Sequence, residues 1–297
     1  MDERHEADGL ADLFETHRGR LRAVAYRMLG SATEADDAVQ ETWLRLGRTD
    51  VTGIENLPGW LTTVVSRVCL DMLRTRASRR EAFLSGEGAL DRVPSRTTPT
   101  PEEEAVLVES VGRALLVVLD TLGPAERVAF VLHDTFAVPF DRIAPIVERS
   151  TVATKKLASR ARHKVRGTPA LPDAELARHR DVVEAFLSAA RGGDLTALLA
   201  VLAPDVVRRA EAAALPARTR PEIRGADAVA RETVVLARNA RFAAPALVNG
   251  RPGLVVAPHG RLRLALTVTI ESGRVTAYEV IATPSRLHAL DLALLPD

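Results

Sequence analysis

The sequence predicts a multidomain protein in which two all-α helical domains are followed by an α+β domain. Three observations carry this. Apolar residues recur at three- and four-residue spacing through most of the first half of the chain, a polar, Pro-bearing stretch at 86–104 cuts that helical region in two, and strict apolar–polar alternation sets in only near the C-terminus.

Each element follows from its local pattern. In "LADLFETHRGRLRAVAYRML" the set Leu10, Leu13, Phe14, Leu21, Val24, Ala25 and Met28 makes one helical stripe that Gly30 stops. Ser31 with Glu34 three residues on reads as a capping box that starts a second helix through "ATEADDAVQETWLRL". Pro58 suits a first helical turn, and Trp60, Leu61, Val64, Val68 and Met72 form the expected inward stripe of a third helix. These helices make a domain over 8–85. After the linker 86–104, periodicity resumes at "VLVESVGRALLVVLDTLG" and continues to a basic helix near Gly167, giving a second helical domain over 105–168. "TPALPD" is a short, stiff joint to the last domain, 174–297. There, "HRDVVEAFLSAARGGDLTALLAVLAPDVV" reads as a helix pair broken at Gly192 and Gly193, and "RLRLALTVTI" as a strand with Leu262, Leu264, Leu266, Val268 and Ile270 on one face. Asn249-Gly250 and "ESGR" are hairpin turn signals.

Composition bounds the function. The 297 residues carry a formal net charge of +1, so nucleic-acid binding has to come from local patches. A single cysteine, Cys69, removes disulfide frameworks and thiolate zinc sites within one chain. The polar, acidic N-terminus lacks a signal-peptide pattern and no apolar run approaches bilayer length, so the cytoplasm is the expected compartment. No Gly-rich phosphate loop followed by lysine and no His-Glu-x-x-His pattern is present among the seven histidines; no cofactor and no metal is expected.

Charge concentrates at 150–167, where "STVATKKLASRARHKVRG" holds six Lys and Arg and no acid. Ser150 is a good N-cap, and Ala153, Leu157, Ala161 and Val165 are the expected apolar seam of the helix. Lys155, Lys156, Ser159, Arg162, His163 and Arg166 then point outward. The short "VERS" after "PFDRIAPIV" has the length of the turn in a helix-turn-helix, whose second helix enters the major groove. The alternative is a solvated charged face, although such faces usually mix signs.

"YRMLGSATEADDAVQETWLRL", "GWLTTVVSRVCLDMLRTRASRRE" and "LLVVLDTLGPAERVAFVLHDTFAVPFDRIAPIVERSTVATKKLASRARHKV" together resemble regions two and four of extracytoplasmic-function sigma factors, the promoter-specificity subunits of bacterial RNA polymerase. The last domain resembles the nuclear-transport-factor-2-like, or SnoaL-like, cone that extends one subgroup of them. The resemblance implies that Asp37, Gln40, Glu41 and Trp43 meet the clamp coiled coil of the polymerase largest subunit, with Trp43 as plain core the alternative. It implies that Arg67, Asp71, Arg74 and Arg76 handle the −10 promoter element, Asp71 being equally well an intrahelical partner of the two arginines beside it. The −35 element falls to Ser150, Thr151, Thr154, Lys155, Lys156, Ser159, Arg162 and Arg166. Pro284, Arg286 and Leu287 form a regulatory tail, expected to pack with Leu290 and Leu292 across both helical domains.

The sequence departs from that family in places. Pro145 lies inside the first helix of the helix-turn-helix, and Glu148 stands where glycine tolerates positive φ more easily. The linker lacks a Trp-Leu-Pro-Glu-Pro stretch, "ATPSRLHAL" replaces an Asn-Pro-Asp-Lys-Leu motif, and "AEAAALPART" is the nearest counterpart of an Asp-Gly-Gly-Gly-Arg loop. The expected partners are core RNA polymerase and promoter DNA, with the cone a candidate holder of a small-molecule ligand. Two rivals remain: a ligand-responsive helix-turn-helix regulator, and a fused cone-fold isomerase or hydrolase using Asp205, Tyr278 or Glu279. Aromatics at 4% leave little material for a substrate-stacking pocket, so no enzyme activity is expected.

Overall fold

The computed structural model describes residues 2–84, 112–216 and 219–296; the expected linker lies outside the described residues. The chain divides into two compact units, one of residues 1–111 and 122–162, the other of 112–121 and 163–297.

In the first unit, α1 (Asp2–Leu29), α2 (Ala32–Leu46) and α3 (Leu57–Leu84) pack on one another. The α1 stripe buries Leu21, Val24, Ala25 and Met28 as the periodicity requires, while Leu13 stays 49% exposed. Gly30 ends α1 with φ 71°, and Ser31 caps α2 by accepting from the Glu34 amide at 3.4 Å. The reciprocal half of the capping box is not formed, because the Glu34 carboxylate pairs with Arg76 of α3. Helix α3 buries Leu61, Val65, Val68, Cys69, Leu70 and Leu73, a wider band than the expected stripe, with Trp60, Val64 and Met72 half-buried.

The extra burial on α3 has a cause in the rest of the unit. α4 (Arg113–Asp120) belongs to the second unit, but α5 (Pro124–Phe130), one π-type turn at Val131–Thr135, α6 (Phe140–Val147) and most of α7 (Thr151–Arg166) belong to the first. Both α5 and α6 pack against α3. Pro124 opens α5, and Glu126 reaches back to the Gly123 amide at 3.3 Å.

The second unit is built on a seven-stranded sheet in the order β2-β1-β6-β5-β4-β3-β7, all antiparallel except the β1–β6 pair. Its strands are β1 (Leu202–Ala210), β2 (Glu222–Arg224), β3 (Ala243–Val248), β4 (Arg251–Val256), β5 (Leu264–Glu271), β6 (Arg274–Ile281) and β7 (Leu292–Ala293). Helices α8 (Asp173–Gly192), α9 (Leu195–Val201) and α10 (Ala226–Leu236) cover one face, where Phe186, Leu187, Val229 and Leu254 share a core. On the other face α4 packs on β3 and β7, with Val117 clustered against Ala246, Val248, Val255 and Leu292. The α+β architecture expected for the C-terminal part is therefore present. Residues 112–121, expected in the second helical domain, are instead a layer of this sheet.

Two further expectations are corrected. "LAPDVVRRA" is strand β1, not the end of a helix: Pro204 removes a helical donor, and Val206, Arg208 and Ala210 bury alternately. Leu262 leaves the face it was assigned and joins the α4 cluster, since β5 begins only at Leu264. In the tail, a short helix α11 (Pro284–His288) leads to β7, which adds to β3 and packs Leu290 and Leu292 with Val117 of α4, a helix from the expected second helical domain.

The hairpin signals hold. Asn249 (φ 52°) and Gly250 (φ 75°) turn β3 into β4, and Ser272 (φ 51°) and Gly273 (φ 74°) turn β5 into β6, both with the positive φ pair of a type I′ turn. The Gly250 carbonyl also accepts from the Ala170 amide at 2.7 Å, fastening the joint after α7 to the hairpin. A Cβ on Gly250 would stand 2.9 Å from the Thr168 carbonyl oxygen, whereas one on Gly273 would meet nothing within 4 Å. Both Gly→Ala variants incur left-handed strain of about 1–2 kcal/mol. In urea unfolding, Gly250→Ala is therefore expected to lose clearly more stability than Gly273→Ala, and equal losses would show that the joint contributes nothing.

Candidate nucleic-acid interface

The basic helix is positioned by the turn before it. Helix α6 ends in Glu148, in left-handed conformation with φ 55° and ψ 47°, and the Arg149 amide closes the turn on the Ala144 carbonyl at 3.1 Å. The sequence flagged this position because a glycine suits it better. Pro145 is exposed on α6 and sits inside the helix without ending it. Ser150 then caps α7, accepting from the Ala153 amide at 3.2 Å.

Lys155, Lys156, Ser159 and Arg166 are exposed as expected, and Thr151 is half-buried in the first turn. Thr154 is not part of the surface. It is fully buried, its hydroxyl donating to the Ser150 carbonyl at 3.0 Å, so it is removed from the base-reading set. The buried seam runs Thr154, Ala158, Ala161 and Val165, one residue round from the set expected in its first half. Ala153 and Leu157 are half-buried beside it. Arg162 is held by Asp134 at 2.6 Å and Arg160 lies 3.4 Å from Glu126, so these two arginines have acidic partners.

Sequence reasoning missed Val152, which is 65% exposed on the same face as Lys155, Lys156 and Ser159. Its offset of three and four from the lysines was a legible signal. An exposed β-branched side chain at the start of a recognition helix suits contact with a thymine methyl group.

A second basic face lies on α3. Arg67, Asp71 and Arg74 are exposed along one side, and Arg74 stands 3.7 Å from Asp71. The face is not open. Arg74 Nη2 donates to Glu148 Oε2 at 3.0 Å, and Arg67 Nη2 donates to the Pro145 carbonyl at 3.4 Å. Arg76 is placed apart from this group: it is half-buried, donates to the Leu29 carbonyl at 3.2 Å and pairs with Glu34, tying α3 to the α1–α2 junction.

On α2, Asp37 and Gln40 are exposed, and Glu41 pairs with Arg45 at 2.9 Å. Burial, then the neighbouring Glu34 and Asp36, raise the Asp37 carboxyl above its ordinary pKa. Trp43 is half-buried, its ring 5.0 Å from Phe14, so it is both core and surface. Leu44, 45% exposed on this helix, was not singled out from the sequence.

In the second unit, Arg286 bridges Glu211 and Glu279 at 2.7 Å each, while Glu211 also accepts from the Ala282 and Thr283 amides. Pro284 opens α11, and Leu287 is half-buried. Desolvation works to raise the Glu211 pKa, but the hydrogen bonds from Thr283, Ala282 and Arg286 prevail and hold it at about 2. Asp205 is exposed, Glu279 is engaged by Arg286 and Tyr278 is buried.

Among the described residues no helix is long and apolar enough to cross a membrane. The family model for Sigma-70 region 2 matches residues 13–79, the span of α1 to α3. The chain is 35% identical over 287 residues to the Mycobacterium tuberculosis protein named "Probable ECF RNA polymerase sigma factor SigI", covering 95% of this chain and 96% of that one. It is 38% identical over 289 residues to the "ECF RNA polymerase sigma factor SigJ" of the same organism, covering 92% and 91%. The crystal structure of that SigJ aligns over 93% of this chain and 97% of its own with 32% identity and a TM-score of 0.44. With more than a third of its residues shared over nearly the whole of two such relatives, the chain belongs to the extracytoplasmic-function sigma factors, which direct promoter-specific transcription initiation by RNA polymerase.

Proposed function

We propose that this sigma factor rests with its −10-reading face covered by its own helix-turn-helix, and that promoter engagement requires the two to part. The observation that carries this is the pair of contacts from Arg74 and Arg67 to Glu148 and Pro145. In the functional assignment, Arg67, Asp71 and Arg74 meet the −10 element, while Val152, Lys155, Lys156 and Ser159 read the −35 element and Arg166 sits on phosphate. Those elements are about 25 base pairs apart, roughly 85 Å along B-DNA at about 3.4 Å per pair. Side chains in direct contact cannot serve both at once. The exposed Arg74–Glu148 pair is worth little energy, so it acts as a latch on a shallow equilibrium.

The C-terminal unit regulates that equilibrium and catalyses nothing in this reading. It holds both ends of the expected second helical domain: α4 is a layer on its sheet, and the Leu294 amide donates to the Val165 carbonyl at the end of α7, at 2.8 Å. Core polymerase docks on the α2 face of Asp37, Gln40, Glu41 and Trp43, against the clamp coiled coil of the largest subunit, with Leu44 as an apolar anchor.

Three outcomes test these assignments. Glu148→Gly relieves left-handed strain and removes the latch, so it should raise the melting temperature yet bind single-stranded −10 DNA more tightly; Glu148→Gln should tighten binding without the stability gain. Unchanged −10 affinity in both variants would overturn the covered-face reading. Leu44→Glu should weaken core polymerase binding at least tenfold with the fold intact, as expected for an interface anchor worth about 2 kcal/mol, by fluorescence anisotropy against labelled sigma. Since the folded Glu211 pKa of about 2 lies below its ordinary 4.5, its stabilisation is present above pH 4.5 and is lost as pH falls toward 2. Glu211→Gln should lower the melting temperature at pH 7, and its difference from the natural protein should shrink through that window.

A further inference from the structure

Two rows of outward side chains run along α7. Lys155, Ser159 and Arg162 stand at i, i+4 and i+7, and Lys156 and Arg160 at i and i+4, so each row opens with a lysine and ends with an arginine one or two turns later. The rows change in charge along their length. Lys155 and Lys156 are exposed with no ion-pair partner among the described residues, whereas each arginine meets an acid from another element of the same unit.

The two acids are fixed by their own elements. Asp134 sits in the π-type turn Val131–Thr135, which the Ala137 amide closes on the His133 carbonyl at 3.1 Å and the Val138 amide on the Leu132 carbonyl at 2.9 Å. The His133 ring stacks on Phe140 with centroids 3.8 Å apart, and its Nδ1 donates to the Val138 carbonyl at 3.0 Å, so the residue before Asp134 is pinned. On the other flank, Glu126 Oε2 accepts from the Gly123 amide at 3.3 Å while Oε1 faces Arg160 Nε at 3.4 Å.

The two pairs differ in strength. Asp134 Oδ1 accepts from Arg162 Nε at 2.6 Å between side chains 24% and 36% exposed, a short charge-assisted bond partly sheltered from water. The Arg160 side chain is 65% exposed and its contact with Glu126 is longer, so solvent screens that pair more. A DNA phosphate reaching the Arg162 guanidinium also approaches the Asp134 carboxylate, and repulsion from the second offsets attraction to the first. Since the sequence-independent part of DNA binding grows with the number of phosphates neutralised, Arg162 adds almost nothing to it and Arg160 only a part of its charge.

We propose that Asp134, and more weakly Glu126, limit the affinity of α7 for the DNA backbone by neutralising Arg162 and Arg160. Neither acid touches DNA; each acts through its arginine. The proposal rests on the assignment of α7 to DNA and adds to it a role for two residues outside the helix-turn-helix surface. With the backbone term held down, the contacts of Lys155 and Lys156 with base edges make up a larger share of the binding.

The test reads how binding of the full chain to a labelled mixed-sequence DNA duplex depends on salt. Asp134→Asn keeps an oxygen that can accept from Arg162 Nε and removes only the charge. It is expected to steepen the slope of log K against log salt by about 0.9 and to tighten binding severalfold at low salt. Asp134→Asn combined with Arg162→Gln carries the same local net charge as the natural protein and should return both slope and affinity to its values. Were Asp134 instead a brace that holds Arg162 on a phosphate, the single variant would leave the slope unchanged and the double variant would lose affinity; either result overturns the proposal. Should Asp134→Asn not fold, Glu126→Gln, whose amide oxygen can still cap Gly123, decides the matter on the other flank, with a smaller steepening expected and none overturning it. Lys155→Ala separates the proposal from the assignment beneath it, since loss of an unpaired charge should flatten the slope by about 0.9. Flattening there without steepening in Asp134→Asn overturns the proposal alone, and no change in either variant overturns the assignment of α7 to DNA with it.

Discussion

Burial of α3 on two sides is the constraint on which the first unit depends. A helix with one apolar stripe accepts one neighbouring layer, but α3 buries Val65, Cys69 and Leu73 as well as Leu61, Val68 and Leu70. The wider band lets α1 and α2 pack on it while α5 and α6 pack on it too. Cys69 shows how dry this interior is, since desolvation drives its thiol far above the ordinary pKa despite the nearby Arg127 charge, and removes it from thiolate chemistry. Only a narrow polar strip of α3 remains, and Arg67, Asp71 and Arg74 occupy it. Packing α6 beside that strip brings Glu148 to Arg74 with no further device. The covering of the face proposed to meet the −10 element is thus a by-product of how α3 is buried.

Local features were legible in the sequence because their causes are local. The Ser31 and Ser150 caps, the stop at Gly193 with φ 64°, and the Asn249-Gly250 turn each rest on one or two residues whose backbone preferences decide the matter. Strand β1 was misread because Leu202, Val206 and Val207 also fit a helical spacing, and the parallel pairing with β6 that makes it a strand lies seventy residues away. The same limit applies to α4. Its apolar run "ALLVVL" announces burial but not against which partner, and it is the sheet formed by residues 243–293 that takes it.

The candidate interface divides along the same line. Exposure of Lys155, Lys156 and Ser159 follows from helical spacing, and so could that of Val152. Burial of Thr154 does not, because Ala153 beside it is the more apolar of the two and only tertiary packing selects between them. The burial of Arg208 was invisible for a further reason. Arg208 is one of a pair of arginines on a strand, and nothing in "VVRRAE" distinguishes the one that turns inward from Arg209, which pairs with Glu222 on the surface.

Charge placement explains how a chain of net charge +1 holds the basic face proposed to meet DNA. Asp134 and Glu126 lie beside the middle and later turns of α7, where they engage Arg162 and Arg160. Lys155 and Lys156, by contrast, have no ion-pair partner among the described residues, and they stand in the first half of the helix, whose macrodipole adds positive potential at that end. The helix dipole therefore reinforces the lysine charges at the N-terminal half of α7. That is the end a helix-turn-helix presents to base edges, while its later turns run along the backbone. On the proposed assignment, pairing Arg160 and Arg162 with acids leaves Lys155 and Lys156 as unpaired charges at the end that would meet base edges, whereas a uniformly basic helix would hold any phosphate track equally well.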